Sequence, residues 1–125
     1  MIKLVYCVRR KAEITESEFY RYWLEEHGPL VKSVAHVLRA RRYVQSHSTA
    51  AGVNASLSEG RGLGDPFDGI TEVWWESIDE LVAGTATAEG QEAAKRLQID
   101  ESHFIDFADS RLFLTEEHEI FDIPA

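Results

Sequence analysis

One cysteine, one methionine and three prolines among 125 residues deny several architectures their raw material. Lone Cys7 cannot close an internal disulfide, which excludes a small cystine-stapled scaffold. Eight glycines without a triplet period exclude a collagen-like chain. The longest purely apolar stretch, Leu4 to Val8, falls far short of the ~20 residues of a helical membrane span. Lys3 leads straight into that short run, unlike a secretory leader, so the expected compartment is the reducing cytoplasm. Basic residues are also scarce, with 13 Lys and Arg against 22 Asp and Glu, a net charge of −9. Phosphate backbones need a basic face, so neither nucleic acid nor membrane is an expected partner.

The chain is 44% hydrophobic and 10% aromatic, enough to build a core and too much for wholesale disorder. Its length suits one domain, residues 1–125. The charge is uneven. Up to Ser48 nine basic residues face five acidic ones, whereas from Thr49 onward four face seventeen. Two halves that fold together would offset these charges; Arg39, Arg41 and Arg42 are close enough to attract an anion instead.

Ile2 to Val8 is β-branched and aromatic, and reads as a strand apolar on both faces. Thr15-Glu16-Ser17-Glu18 is a capping box, with Ile14 and Phe19 placed as its hydrophobic staple. Phe19, Tyr22 and Trp23 then recur at helical spacing as far as Glu26. Gly28-Pro29 is expected to stop that helix and open another over Leu30 to Val37. Arg39 to Ser48 reads as a second strand, and Ile70 to Glu76 as a third. Between them Thr49 to Asp68, rich in glycine, serine and alanine, reads as a long loop near the pocket mouth, a candidate lid. Ser77 caps a further helix, expected to break at Gly84 and resume over Ala88 to Leu97. Asp100 to Ser110 looks irregular, and Arg111 to Phe121 is a final strand with a tail.

The order β-α-β, loop, β-α-β is the ferredoxin-like split βαβ pattern, an α+β sandwich with a four-stranded antiparallel sheet. Helices cover one face of such a sheet. The strands look apolar on both, so a second copy of the chain is expected on the other.

The blocks MIKLVYCVRRK, FYRYWLEEHGPLV, RRYVQ, FDGITEVWWES and FLTEEHEI together resemble the EthD domain of the dimeric α+β barrel superfamily. That resemblance runs nearly end to end and implies a homodimer whose sheets pack face to face. It also implies a small pocket between each sheet and its helices. The family's name comes from a protein required alongside a cytochrome-dependent monooxygenase system that degrades ethyl tert-butyl ether. Related barrels include cofactor-free monooxygenases, muconolactone isomerases, polyketide cyclases and some haem proteins. The implied function is a cofactor-free, oxidoreductase-type enzyme acting on a small hydrophobic, aromatic or polyketide-like metabolite. A cyclase, dehydratase or isomerase is the chemical alternative, and a hydrophobic-ligand-binding accessory to an oxygenase the non-catalytic one.

Seven candidate positions stand out. His27 matches the family's HGPLV segment residue for residue; as a general base it would be partly desolvated and neutral near pH 7. Otherwise it is a histidine at a helix C-terminus, interacting with the last carbonyls. Tyr43 and His47 lie four apart on one strand face, where a phenol and an imidazole could orient an enol or quinone oxygen. Trp23, with one of Trp74 and Trp75, is expected to line the pocket, the other tryptophan entering the dimer interface. Arg42 is grouped with them as a substrate contact, or is paired with Glu72 across neighbouring strands. His36, His103 and His118 have no supporting constellation. No His, Cys and Asp spacing resembles a metal site, although a single histidine suffices to ligate haem. Gly60-Arg-Gly-Leu-Gly64 lacks the spacing of a dinucleotide fingerprint.

Overall fold

A computed structural model describes residues 1–125. Strands β1 (Ile2–Val8), β2 (Arg42–His47), β3 (Gly69–Trp75) and β4 (Arg111–Glu116) form one sheet in the order β2-β3-β1-β4. Every neighbouring pair is antiparallel, which is the ferredoxin-like α+β arrangement. Helix α1 (Glu16–Tyr22) and α2 (Gly28–Val34) lie between β1 and β2, α3 (Ala51–Glu59) between β2 and β3, and α4 (Ile78–Ala86) and α5 (Ala88–Glu101) between β3 and β4.

The register sorts the side chains by face, because directly opposed residues share one. Leu4, Val73, Tyr43 and Leu114 form one helix-facing row, and Tyr6, Thr71, Gln45 and Leu112 the next. The other face carries Val5, Glu72, Val44 and Phe113 in a row, beside Lys3, Trp74, Arg42 and Thr115. Under the helices Val8, Phe19, Trp23, Phe104 and Ile105 make the main core, and Val34, Leu38 and Ala93 a second one. At roughly 1.5–3 kcal/mol for each large apolar side chain buried, this layer is the main source of stability.

Thr15 caps α1 as its sequence requires, its hydroxyl accepting from the Glu18 amide at 3.2 Å, and Ser77 does the same for Glu80. Gly28-Pro29 does not stop the helix. The chain runs on through a π-helical turn, Trp23–His27, in which the Gly28 amide donates to the Trp23 carbonyl five residues back. Gly28 keeps helical angles, φ −54° and ψ −52°, and Pro29 sits in the first turn of α2, where its missing N–H costs nothing. Such single turns of wider helix are frequent at functional sites. Here the turn brings residues four apart, Trp23 and His27, to the same inward face, and both are buried.

Other boundaries also move. The second strand starts at Arg42, because Arg39 takes a left-handed φ of 61° and turns the chain first. The break between the last two helices falls at Thr87, not at Gly84. Thr87 is extended and its hydroxyl caps α5 through the Gly90 amide at 2.9 Å. Gly84 lies inside α4, where a Cβ would come within 2.3 Å of the Leu38 carbonyl oxygen. The segment 49–68 is not an open loop but contains α3. Its end is tied down where Asp68 accepts from the Arg10 amide at 2.7 Å and its carbonyl accepts from Tyr20 Oη at 2.8 Å. The final strand ends at Glu116, short of Phe121.

Gly69 opens β3 beneath the Trp23 ring. A Cβ there would meet the Ser46 carbonyl oxygen at 2.4 Å and two ring carbons of Trp23 at 2.8 Å. Gly69→Ala is therefore expected to cost about 1–3 kcal/mol, since core and strand would have to shift together. Urea denaturation measures this, and an unchanged midpoint would show that Trp23 moves freely.

Candidate functional site

Between the helix-facing rows of the sheet and helices α2 and α5 lies a cavity of about 160 Å³. It is large enough for a molecule built on an aromatic ring, as apolar cavities of about 150 Å³ hold benzene. Thirteen of its sixteen lining residues are hydrophobic, among them Leu4, Val31, Val73 and Trp75. Its chemistry-bearing groups are His27, Glu101, Thr71 and the phenols of Tyr6 and Tyr43.

His27 is only 4% exposed. Its Nδ1 lies 2.7 Å from Asp100 Oδ2, and its ring meets Phe104 edge-on at 5.2 Å between centroids. A carboxylate can only accept, so Nδ1 carries the proton and the Nε2 lone pair is left free. No group of the chain hydrogen-bonds Nε2. Burial pushes the His27 pKa below its ordinary 6.5, with Asp100 pulling the other way, so the ring is neutral at pH 7. Asp100 is itself held: Tyr22 Oη donates to its Oδ1 at 2.5 Å, and the same phenol oxygen lies 3.3 Å from His103 Nδ1. A polar chain thus runs from exposed His103 through Tyr22 and Asp100 to buried His27. His103, which reads from sequence as an isolated surface residue, belongs to this constellation.

Asp100 and Glu101 are the residues that sequence reasoning misses. They fall in a segment that looks irregular, whereas α5 continues to Glu101. The legible signal is the spacing of Ala93, Leu97 and Glu101, four residues apart, which carries the inward face of the helix on to a carboxylate. Glu101 has no ion-pair partner. Burial pushes its pKa from the ordinary 4.5 up to about 7, against a smaller opposing effect from the Tyr6 phenol.

That shift makes a stability prediction. Below about pH 4.5 Glu101 is protonated whether folded or not. Between 4.5 and 7 the unfolded chain releases a proton that the native chain retains, so stability falls as pH rises, and above 7 the loss is complete. Glu101→Gln is expected to stabilise the fold by on the order of 1–3 kcal/mol at pH 8 and by far less at pH 5. Thermal unfolding at the two pH values checks this, and an equal effect at both would deny the raised pKa.

The remaining predicted positions divide. Trp23 and Tyr43 line the cavity with His27. Tyr43 Oη accepts from Gln45 Nε2 at 2.8 Å, and burial raises the phenol's pKa and keeps it protonated. Of the two adjacent tryptophans Trp75 faces the cavity, its indole N–H donating to the Leu38 carbonyl at 2.8 Å. Trp74 faces the other side, where the Arg42 guanidinium stacks over it at 4.5 Å. Arg42 therefore lies away from the cavity and is not paired with Glu72. The nearer cation, Lys3, takes Glu72 at 2.7 Å across the same strands. Arg39 and Arg41 meet Glu80 and Glu76 at 3.1 and 3.3 Å, so the two halves of the chain do offset each other's charge.

His47 does not reach the cavity. Its row, with Val8 and Gly69, lies one step beyond, and its ring is sandwiched between Trp23 at 4.4 Å and Tyr20 at 5.1 Å. Gln45 Nε2 also donates to the Trp23 carbonyl at 2.8 Å, which orients the amide so that Oε1 accepts from His47 Nε2. Nor does any residue of 49–68 line the cavity, so α3 is not its lid.

Comparison with known proteins agrees with this architecture. A protein of the ethyl tert-butyl ether D (EthD) family from Bacillus halodurans is similar over 94% of this chain and 99% of its own, with TM-score 0.62 and 18% identity. A dimeric, ferredoxin-like protein of unknown function from Bacteroides fragilis matches 93% of this chain and 95% of its own, at TM-score 0.57 and 8% identity. A Deinococcus radiodurans protein described as a candidate antibiotic biosynthesis monooxygenase matches over the full length of both chains, at TM-score 0.54 and 12% identity. No curated protein matches the sequence. The family model of the EthD domain matches residues 11–108, most of the chain and all of the segment from α1 to α5, and the protein belongs to the EthD domain family.

Proposed function

We propose that this protein is an enzyme that moves a proton on a small hydrophobic, aromatic or polyketide-like metabolite held in the cavity, with His27 as the general base. One observation carries the reading. A neutral imidazole, fixed through Nδ1 by Asp100, offers an unpartnered Nε2 at the wall of a mostly apolar cavity. Apolar walls supply affinity and orientation, while one poised base supplies direction. Trp23 and Trp75 hold a flat ring, and the Tyr43 phenol is a donor for an oxygen on it.

Removing a proton α to a carbonyl generates an enolate, the shared first step of cyclisation, isomerisation and dehydration. An electron-rich enolate or phenolate is equally the start of the oxidoreductase-type reaction suggested by the EthD name. Deuterium exchange into 1-indanone, a bicyclic aryl ketone, tests the common step in D₂O by proton NMR. The rate should exceed the buffer rate and rise with pH through a midpoint below 6.5, as His27 loses its proton. Saturable binding without exchange would favour the accessory ligand carrier, and absence of both would reject the reading.

The open face of the sheet supports a homodimer. Val5, Val44, Ile70 and Phe113 lie on it around the Lys3–Glu72 pair, and Phe113 is half exposed. A stable sheet-to-sheet dimer should bury more than ~1,200 Å² in total. Sedimentation at micromolar concentration checks this, and a stable folded monomer would refute it.

A further inference from the structure

The last turn of α5 places two carboxyl groups side by side with different surroundings. Asp100 stands behind His27 and holds its Nδ1, as described above. Glu101 lines the cavity itself and also lines a surface depression of about 300 Å³, together with Tyr6, Gln98, Phe107 and Leu112. Tyr6, Glu101 and Leu112 border both spaces, so they separate the cavity from the solvent-facing depression. Glu101 is the only carboxyl group that lines the cavity, and no lysine or arginine lines it.

We propose that Glu101 is a second catalytic residue, the acid that protonates the substrate's carbonyl oxygen and recovers its proton from solvent through the adjoining depression. The inference rests on the carbon-acid reading of the site and narrows its substrate class to small apolar ketones and 1,3-dicarbonyl compounds. In the step, His27 Nε2 takes the α-proton and the C–H bond breaks. Its electron pair forms the C=C bond while the carbonyl π pair takes the proton of the Glu101 carboxyl. Enol, imidazolium and carboxylate result. In a β,γ-unsaturated ketone, where the enol is a dienol, return of the proton from His27 to the γ-carbon, with the double bonds shifting to re-form the carbonyl and the enol proton passing to Glu101, completes an isomerisation. In a saturated ketone, release of the enol leaves both groups to re-equilibrate with water.

The groups facing Glu101 suit this role. They are the Tyr6 phenol from β1, the Tyr43 phenol from β2, His27 from the π turn and Asp100 on its own helix. None is a fixed cation that would hold the carboxyl ionised. Burial keeps it protonated until about pH 7, while His27 is already neutral. Acid and base thus coexist in working form near neutrality, which is the pairing that proton shuttling requires.

The test is deuterium exchange into 1-indanone by the full-length protein and its Glu101→Gln and Glu101→Asp variants, from pH 5 to pH 9. Glutamine keeps the shape, so its variant should fold. The expected wild-type profile is a bell, rising as His27 deprotonates and falling near pH 7 as Glu101 does. Glu101→Gln should lower the rate by about 10²-fold and abolish the alkaline fall, with 1-indanone binding unchanged by tryptophan quenching. Aspartate should restore part of the rate and the alkaline fall. If wild-type exchange is strong and Glu101→Gln leaves both rate and profile intact, Glu101 has no such role and the His27 reading survives. If the wild type itself does not exchange, both inferences fall together.

Discussion

His27→Ala is expected to slow deuterium exchange into 1-indanone by about 10²–10⁴-fold while leaving its affinity nearly unchanged. Affinity comes from the apolar walls, of which the imidazole is a small part, whereas the rate depends on the only unpartnered imidazole nitrogen at the cavity wall. The companion variant Asp100→Asn separates chemistry from packing. The Tyr22 phenol donates to Asp100 Oδ1, so an asparagine would turn its carbonyl oxygen towards Tyr22 and its NH₂ towards His27. Nδ1 would then have to accept, the proton would move to Nε2, and the base would be masked with the ring in place. A loss of about 10²-fold or more is expected for that variant as well, with binding retained. Unchanged exchange in both variants would remove His27 from the chemistry and leave it a buried packing residue.

Trp23→Ala is expected to cost about 3–5 kcal/mol, a large share of the roughly 5–15 kcal/mol that holds a domain of this size together. Trp23 is 1% exposed, packs on Phe19 at 5.5 Å and stacks on His47 at 4.4 Å. Its ring also fills the space that Gly69 leaves open. Truncation would merge an empty volume with the existing cavity, and the neighbouring strand could not collapse into it without breaking its ladder. Urea denaturation gives the magnitude. A cost below about 1 kcal/mol would mean that Phe19 and Tyr20 can close over the gap.

The two variants make opposite demands on the same turn of helix. Trp23 sustains the fold and shapes the wall, while His27, one π turn later, is held by Asp100 at the cavity wall. A buried neutral histidine and an unpaired Glu101 both weaken the fold where they titrate, so the cavity's polar groups are held at a local cost in stability.

Much of this was written along the chain. Runs of β-branched and aromatic residues made the strands legible, Thr15 and Ser77 announced their helices, and the order of elements specified the ferredoxin-like topology. Trp23, His27 and Tyr43 could be picked out as residues that line the cavity because each is a large or chemistry-bearing side chain on an inward face. What the chain could not disclose is which groups meet across it. Asp100 lies 73 residues from His27, and that partnership exists only because α5 packs against the π turn. The π turn itself depends on the core: Gly28-Pro29 locally favours a stop, and burial of Trp23 and His27 on one face prevails over that preference. Register likewise separated residues that alternation alone left equivalent, sending Trp75 to the cavity, Trp74 and Arg42 to the open face, and His47 one row too far. Local patterns record which side of an element is buried. The choice of partner there is made by packing between distant segments, whose energies no single window of sequence contains.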